Sequence, residues 1–384
     1  MRIALVTETF PPEVNGVAMT LGRLVRGLAA RECELLVIRP ERRDEILLED
    51  ADSPFEEYIL PGYPLPGYAG LRFGQPCIWN LYSKWKQCRP DVVHIATEGP
   101  LGMAALLVAK CLGICVTSTF HTNFHQYGDH YRYGFLKSAM LGYLRWFHNR
   151  FACTLAPTRQ MADELEKDGF ERTGVLSRGV DTELFSPEKR CEALRSSWGV
   201  EREDRVFIFV GRVAAEKNIQ LAVEAYEAAR GLDERSRMVV VGDGPETKRL
   251  KALYPDVIFA GMQRGEDLAK HYASGDVFLF PSVTETFGNV VTEAMSSGLA
   301  VVTYDYAAGR EYVRSGVSGL LAAFNDQGDF FDKAQEAWNL GNGALVEMRA
   351  KARETAAGIS WERVIDDFRT TLYAMRESVS SADG

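Results

Sequence analysis

Short apolar runs, each followed by a loop and then by a stretch of helical periodicity, recur from one end of this chain to the other. No other feature limits its fold so tightly. "RIALV" (Arg2–Val6) is the first such run. It lacks the polar alternation of a strand with one wet face, so it fits a strand covered on both faces, as in a parallel sheet. The loop "TETFPPEVNG" follows, and then Val17, Leu21, Leu24, Val25 and Leu28 recur at helical spacing. Strand, loop and helix make half of a βαβ unit. "ELLVI", "DVVHI", "CVTSTFHT" and "CTLAPT" continue the alternation, with a helix expected over Leu101–Leu112. The pattern restarts with "RVFIFVGRVAAEKN" and runs through "MVVVGDGPETKRL", "VIFAGM", "DVFLFPS" and "LAVVTYD". The stretch "SRGVDTELFSPEKR" (Ser177–Arg190), with Gly, Pro and polar residues, marks the joint. The prediction is two doubly wound α/β domains, over 1–182 and 183–359, with a closing segment over 360–384. Doubly wound sheets take ligands outside the carboxyl ends of their strands, so two in tandem would create a cleft.

Length and composition agree. The chain has 384 residues, about right for two domains. A net charge of -9 argues against a nucleic-acid partner, which would need a basic face. The 7 cysteines contain no CxxC pair, and the closest two, Cys111 and Cys115, read as buried thiols of a reducing compartment. "MRIALVTETF" lacks the long apolar region of a signal peptide. The longest apolar stretch, Leu101–Ala109, is too short to span a bilayer. These features point to a cytoplasmic protein.

The most informative stretch is "SVTETFGNVVTEAMSSG" (Ser282–Gly298), directly after the strand "DVFLF". A helix is expected to begin near Gly288 or Asn289 and to stop at Gly298. Its N-terminal amides and dipole attract an anion such as phosphate, and Gly288 allows close approach. Glu293 lies one turn in, on the face of Asn289, while Glu285 stays in the loop. A carboxylate is a poor phosphate partner but accepts well from sugar hydroxyls, at roughly 1.5–3 kcal/mol per charged hydrogen bond. Phosphate on the helix end with one sugar on each side is the layout of a nucleotide sugar. The plainer alternative makes Glu285 a solvated loop acid and Glu293 a complement to the helix dipole. In "VGRVAAEKN", Arg212 and Lys217 place two cations at a strand–loop–helix junction, where they can neutralise a diphosphate; singly, each would be an ordinary surface charge. No GxxxxGK[ST] occurs, and "GDGP" is not GxGxxG, so P-loop hydrolysis and dinucleotide binding lose their signatures.

Taken together, "ETFPPEVNGV", "FHTNF", "APTRQM", "GVDTELFSP", "VGRVAAEKN", "VVVGDGPE", "PSVTETFGNVVTEAMSSGLAVV", "GREYVRSGVSGLL" and "ISWERVIDDF" occur in an order that resembles the retaining nucleotide-sugar glycosyltransferases of family 4. The resemblance covers nearly the whole chain. It implies the GT-B fold, two Rossmann-like parallel-sheet domains facing across a cleft, with the closing helix crossing back onto the first. It implies that Arg212 and Lys217 grip the donor diphosphate, that Glu293 binds the ribose hydroxyls and that Glu285, the first acid of an E-x7-E pattern, holds the donor sugar. Phe287, Gly288, Asn289 and Val290 would line the sugar and phosphate, Gly16 would approach the diphosphate, and Gly242, Gly261 and Met262 would lie near the base. His121 would reach the donor sugar, with Asn15, Asn123 and His125 toward the acceptor. The resemblance also implies that neither a metal nor another cofactor is needed. The implied activity moves a hexose, with GDP-mannose favoured as donor, onto a lipid or glycan of the cell envelope; a UDP-hexose stays open. A sugar-nucleotide epimerase and a non-catalytic nucleotide-sugar binder are the other classes. Arg178 departs from the pattern, standing where asparagine is usual before Gly-Val-Asp, and "YAAGREYV" replaces a more usual Gly-Gly-x-x-Glu, although Glu311 aligns.

Three features have ordinary explanations. His121, His125 and His130 form no complete ligand set, since no Cys or Glu at ligand spacing joins them. Asp50-Ala51-Asp52 spells DxD within an acidic run and reads as solvated surface. In 131–151, Leu136, Met140, Tyr143, Phe147 and Phe151 recur at helical spacing, which favours core packing over peripheral contact with a membrane.

Overall fold

The structure, a computed structural model, describes residues 1–13, 15–42, 53–64, 72–121, 134–201, 203–231 and 235–382, without the side chains of 134–137 and 380–382. It divides into two compact units, Met1–Ser177 with Glu362–Gly384, and Arg178–Trp361.

The strands of the first unit are β1 (Arg2–Val6), β2 (Glu34–Pro40), β3 (Glu56–Leu60), β4 (Gly62–Pro64), β5 (Arg72–Gly74), β6 (Val92–Ile95), β7 (Cys115–Thr119), β8 (Cys153–Ala156) and β9 (Thr173–Val175). Seven of them form a parallel sheet in the order β3-β2-β1-β6-β7-β8-β9. The pair β4–β5 is a short antiparallel ribbon. Ile3, Ala4, Leu5 and Val6 are buried, as the unalternating pattern requires. Asn15 caps the helix Gly16–Ala29, its Oδ1 accepting from the Ala18 N–H at 2.8 Å. The helix expected over Leu101–Leu112 spans Pro100–Cys111, with proline in its first turn where no N–H is missed. The helix Trp361–Ala382 lays Phe368 edge-on to buried His94, ring centroids 4.9 Å apart, and Arg31 bonds Asp366 at 2.6 Å. Burial pulls the His94 imidazole down to about 3, so it stays neutral and bonds Thr117 and Thr119.

The second unit holds β10 (Arg205–Val210), β11 (Ser236–Val241), β12 (Ile258–Gly261), β13 (Val277–Phe280), β14 (Ala300–Tyr304) and β15 (Gly319–Ala322). They form a parallel sheet in the order β12-β11-β10-β13-β14-β15. That order reverses direction between β10 and β13, the topological switch point of a doubly wound sheet. At the amino end of β13, Asp276 is buried and fully engaged. Its Oδ1 takes Arg190 at 3.1 Å and Arg349 at 3.0 Å, and its Oδ2 takes Arg195 at 3.1 Å and the Val206 N–H at 2.9 Å. Such a cluster is tolerated because both carboxylate oxygens are engaged and each guanidinium has further carbonyl partners, although the Arg195 Nε has no hydrogen bond.

Two expectations need correction. Cys111 is exposed, because it ends a helix whose apolar face turns the other way; Cys115, on β7, is buried, and all the cysteines are free thiols. The apolar stripe of 131–151 is only partly core. Phe147 and Phe151 are buried, but Tyr143 is 40% exposed and gives its hydroxyl to the Glu98 carbonyl at 2.8 Å. The helix ends at His148, which breaks the spacing before Phe151. Trp146, 44% exposed, carries the Arg150 guanidinium 3.8 Å over its ring. No described helix is long and apolar enough to cross a membrane.

Candidate functional site

The carboxyl ends of β10 and β13 flank the switch point of the second sheet, and the residues singled out by sequence leave from them. After β10 the chain passes Gly211 and Arg212, makes a short 3-10 turn over Ala215–Lys217, and enters the helix Ile219–Arg230. After β13 it runs through Pro281–Phe287 into the helix Asn289–Ser296. Gly288 caps that helix at φ 92°, a left-handed conformation that favours glycine. The two loops meet. Lys217 Nζ donates to Glu285 Oε1 at 2.5 Å and lies 3.4 Å from the Thr284 carbonyl. The same carboxylate oxygen accepts from Ser282 Oγ at 2.8 Å, and Tyr306 Oη donates to the Glu285 carbonyl at 2.9 Å. Both side chains of the pair keep some solvent access, 18% for Lys217 and 17% for Glu285. Both of these side-chain hydrogen bonds fall on Glu285 Oε1, and among the described residues none is made by Oε2.

Glu293 sits one turn inside the helix. Its Oε2 accepts from buried Tyr272 Oη at 2.9 Å. Burial pushes the Glu293 carboxyl up to about 7, with the Tyr272 hydrogen bond opposing. The same burial and the neighbouring carboxylate hold the Tyr272 phenol well above its ordinary value, so it remains a donor. Asn289 Oδ1 is buried without a partner. Phe287 is buried beneath the loop, and its carbonyl accepts from the Ala308 N–H at 2.8 Å. Val290 is partly exposed.

Not every predicted residue joins this cluster. The Arg212 side chain is 68% exposed, and among the described residues its guanidinium pairs with Glu216 at 3.4 Å. Gly242 follows β11 and donates its N–H to the Gly261 carbonyl at 2.8 Å. A Cβ on Gly242 would fall 1.9 Å from the Gly211 carbonyl oxygen, so the close approach of the two loop backbones requires glycine there. Met262 is 58% exposed. In the first unit, Asn15 and Gly16 open the helix after β1, and His121 directly follows β7, partly buried, so all three lie at the carboxyl edge of that sheet. Asn123, His125, His130 and the DxD stretch Asp50–Asp52 lie outside the described residues. Among the described residues, no group of three or more His, Cys, Asp or Glu side chains could hold a metal ion.

Sequence alone did not point to Ser282, Tyr272 or Tyr306, which buttress the two glutamates; nothing marks a buttress before its partner is placed. It also missed Glu8. This residue follows β1, is 9% exposed, and accepts the backbone N–H groups of Gly74 and Leu101. Burial raises its carboxyl to about 7 against those hydrogen bonds. The one signal available was its place at the carboxyl end of a switch-point strand.

Two family models match the chain. Residues 14–184 match Glycosyltransferase Family 4, and residues 204–339 match Glycosyl transferases group 1. A GDP-mannose-dependent alpha-mannosyltransferase of Corynebacterium glutamicum is 35% identical over 94% of this chain and 86% of its own. One of the same description from Mycobacterium tuberculosis is 32% identical over 98% of this chain and 97% of its own. Among solved structures, Anabaena HepE in complex with UDP superposes with a TM-score of 0.77 at 19% identity, covering 97% of this chain and 100% of that one; it has the GT-B fold of two parallel-sheet α/β domains.

Proposed function

The chain belongs to glycosyltransferase family 4 and is a nucleotide-sugar-dependent glycosyltransferase; from that premise we propose that it transfers mannose from GDP-mannose, with retention of configuration and without a metal, to a lipid or glycan acceptor of the cell envelope. The observation that carries the site assignment is the Lys217–Glu285 pair at the switch point, 2.5 Å across and open on one side, beside the N-terminus of the helix Asn289–Ser296. The donor assignment is supported by relatives described as GDP-mannose-dependent at 35% and 32% identity. Lys217, with Arg212 swinging in from solvent, and the helix N-terminus stabilise the charge that builds on the departing diphosphate. Glu285 orients the sugar through its free oxygen, and Glu293, held by Tyr272, accepts from the ribose hydroxyls. In the first unit, Gly16, Asn15 and His121 are the proposed contact residues. The leaving phosphate takes the acceptor proton as the acceptor attacks from the same face, so Glu285 positions and does not become covalently attached. We place its work at the cytoplasmic side, in reach of a membrane-borne acceptor, as the lipid and glycan acceptor reading requires.

The test is nucleoside diphosphate release from a panel of GDP- and UDP-sugars with a mixed pool of lipid and glycan acceptors. GDP-mannose should be consumed preferentially, and the anomeric proton of the product should report retained configuration by NMR. Preference for a UDP-hexose would overturn the donor; epimerised sugar nucleotide without release would overturn the transfer.

A further inference from the structure

Arg178 is the first residue of the second unit and is 7% exposed. Buried arginines ordinarily end on carboxylates or carbonyls, as Arg195 does on Asp276 and on the Ser274, Glu201 and Asp204 carbonyls. Arg178 makes no such ending. Its Nε is buried without a hydrogen-bond partner, as is that of Arg195, but unlike in Arg195 no hydrogen bond or ion pair holds any other part of its guanidinium among the described residues. It lies 5.9 Å over the Phe287 ring. Burial lowers its pKa to about 10, partly offset by the charge of Glu285, which is near enough to act but forms no ion pair with it. A second buried polar atom without a partner, Asn289 Oδ1, sits two residues beyond Phe287. Leaving such groups unpaired costs about 1–3 kcal/mol each, and more for a charge, so they destabilise the fold locally.

We propose that Arg178 is a specificity-determining contact for the donor's sugar, its guanidinium and the free oxygen of Glu285 sharing one sugar hydroxyl. The proposal rests on the nucleotide-sugar reading of this site. The chemistry selects the group. A hydroxyl accepts from a guanidinium and donates to a carboxylate, so it satisfies both at once. A phosphate only accepts, and Glu285 repels it. Asn289 Oδ1 takes a hydroxyl proton for the same reason.

The test compares affinities for GDP-mannose and GDP, and in parallel for UDP-glucose and UDP, in wild type, Arg178→Met and Arg178→Lys, by titration calorimetry. In Arg178→Met the nucleotide sugar should bind about 10- to 100-fold more weakly, the loss of hydrogen bonds to a charged group, while the nucleoside diphosphate shifts less than about twofold. Arg178→Lys should recover part of the loss, since it keeps the charge but not the fork. The melting temperature of unliganded Arg178→Met should equal or exceed that of wild type, because a buried unpaired charge has been removed. Equal weakening of sugar nucleotide and diphosphate would place Arg178 on phosphate and overturn the proposal. So would an unchanged ratio with a lowered melting temperature, which marks a structural role. If wild type binds neither nucleotide sugar nor diphosphate, the donor-site reading itself falls; if wild type binds and the ratio is untouched by Arg178→Met, this proposal alone falls.

Discussion

The two ends of β13 carry the same chemistry and opposite accounts of it. At the amino end, Asp276 meets three arginines and a backbone amide, and both oxygens are engaged. At the carboxyl end, Glu285 meets Lys217 and Ser282 on one oxygen only, and Arg178 and Asn289 keep buried polar atoms with no partner at all. At the amino end the Arg195 Nε lacks a hydrogen bond, but neither carboxylate oxygen is left to offer a ligand. An unsaturated cluster is stable only because the rest of the unit holds it, and its unmet hydrogen bonds describe what it binds. The strand supplies the position, and the loops supply the chemistry.

The contrast can be broken from either end. The largest effect should come from Asp276→Asn, which leaves arginines buried without their anion; breaking a buried pair costs about 3–5 kcal/mol. Urea denaturation should show that loss, and a cost below about 1 kcal/mol would mean the cluster does not hold the unit. Lys217→Ala should do the reverse: turnover falling about 10²- to 10³-fold, as for removal of one transition-state electrostatic partner, with the urea midpoint nearly unchanged. Equal damage to stability and rate would erase the distinction between the ends. Glu285→Gln should cost less, about 10- to 100-fold in kcat, because the amide still bonds a sugar hydroxyl but loses the charge; GDP affinity should stay put.

Glu8 sharpens the comparison from the first unit. It too lies at the carboxyl edge of a switch-point strand, but backbone amides fill both of its oxygens. Its folded pKa, about 7, is raised above the ordinary 4.5. Between those values the folded state holds a proton that the unfolded chain has released, so stability is greatest below pH 4.5 and falls as pH rises toward 7. The slope from this one group is about 1.4 kcal/mol per pH unit at its steepest. Glu8→Gln should flatten the fall in unfolding free energy over that range; an unchanged slope would show that Glu8 is ionised in the fold.

How much of this was legible beforehand follows from what a pattern can carry. Unalternating apolar runs such as "RIALV" and "DVFLF" read directly as buried parallel strands, and β1 and β13 fall there. The helix over Asn289–Ser296 was marked by Gly288 and Gly298 at its ends. Contacts between distant positions were not legible. Asp276 gathers Arg190, Arg195 and Arg349, and no local spacing links them. The pairing of Lys217 with Glu285 was equally hidden: both were expected at the site, but as separate grips on phosphate and sugar. Arg178 stood out only as a departure from the family pattern, and its meaning came from burial, which a sequence does not print. Helical spacing misjudged Tyr143 because a stripe does not reveal how far a covering layer extends.

The most direct test of the central claim is a crystal structure of the protein with GDP-mannose, or with GDP alone, bound. The account predicts diphosphate oxygens within about 3 Å of Lys217 Nζ and of the backbone amides that open the helix Asn289–Ser296, with sugar hydroxyls on Glu285. A diphosphate seated elsewhere, with the Lys217–Glu285 pair left untouched, would contradict it.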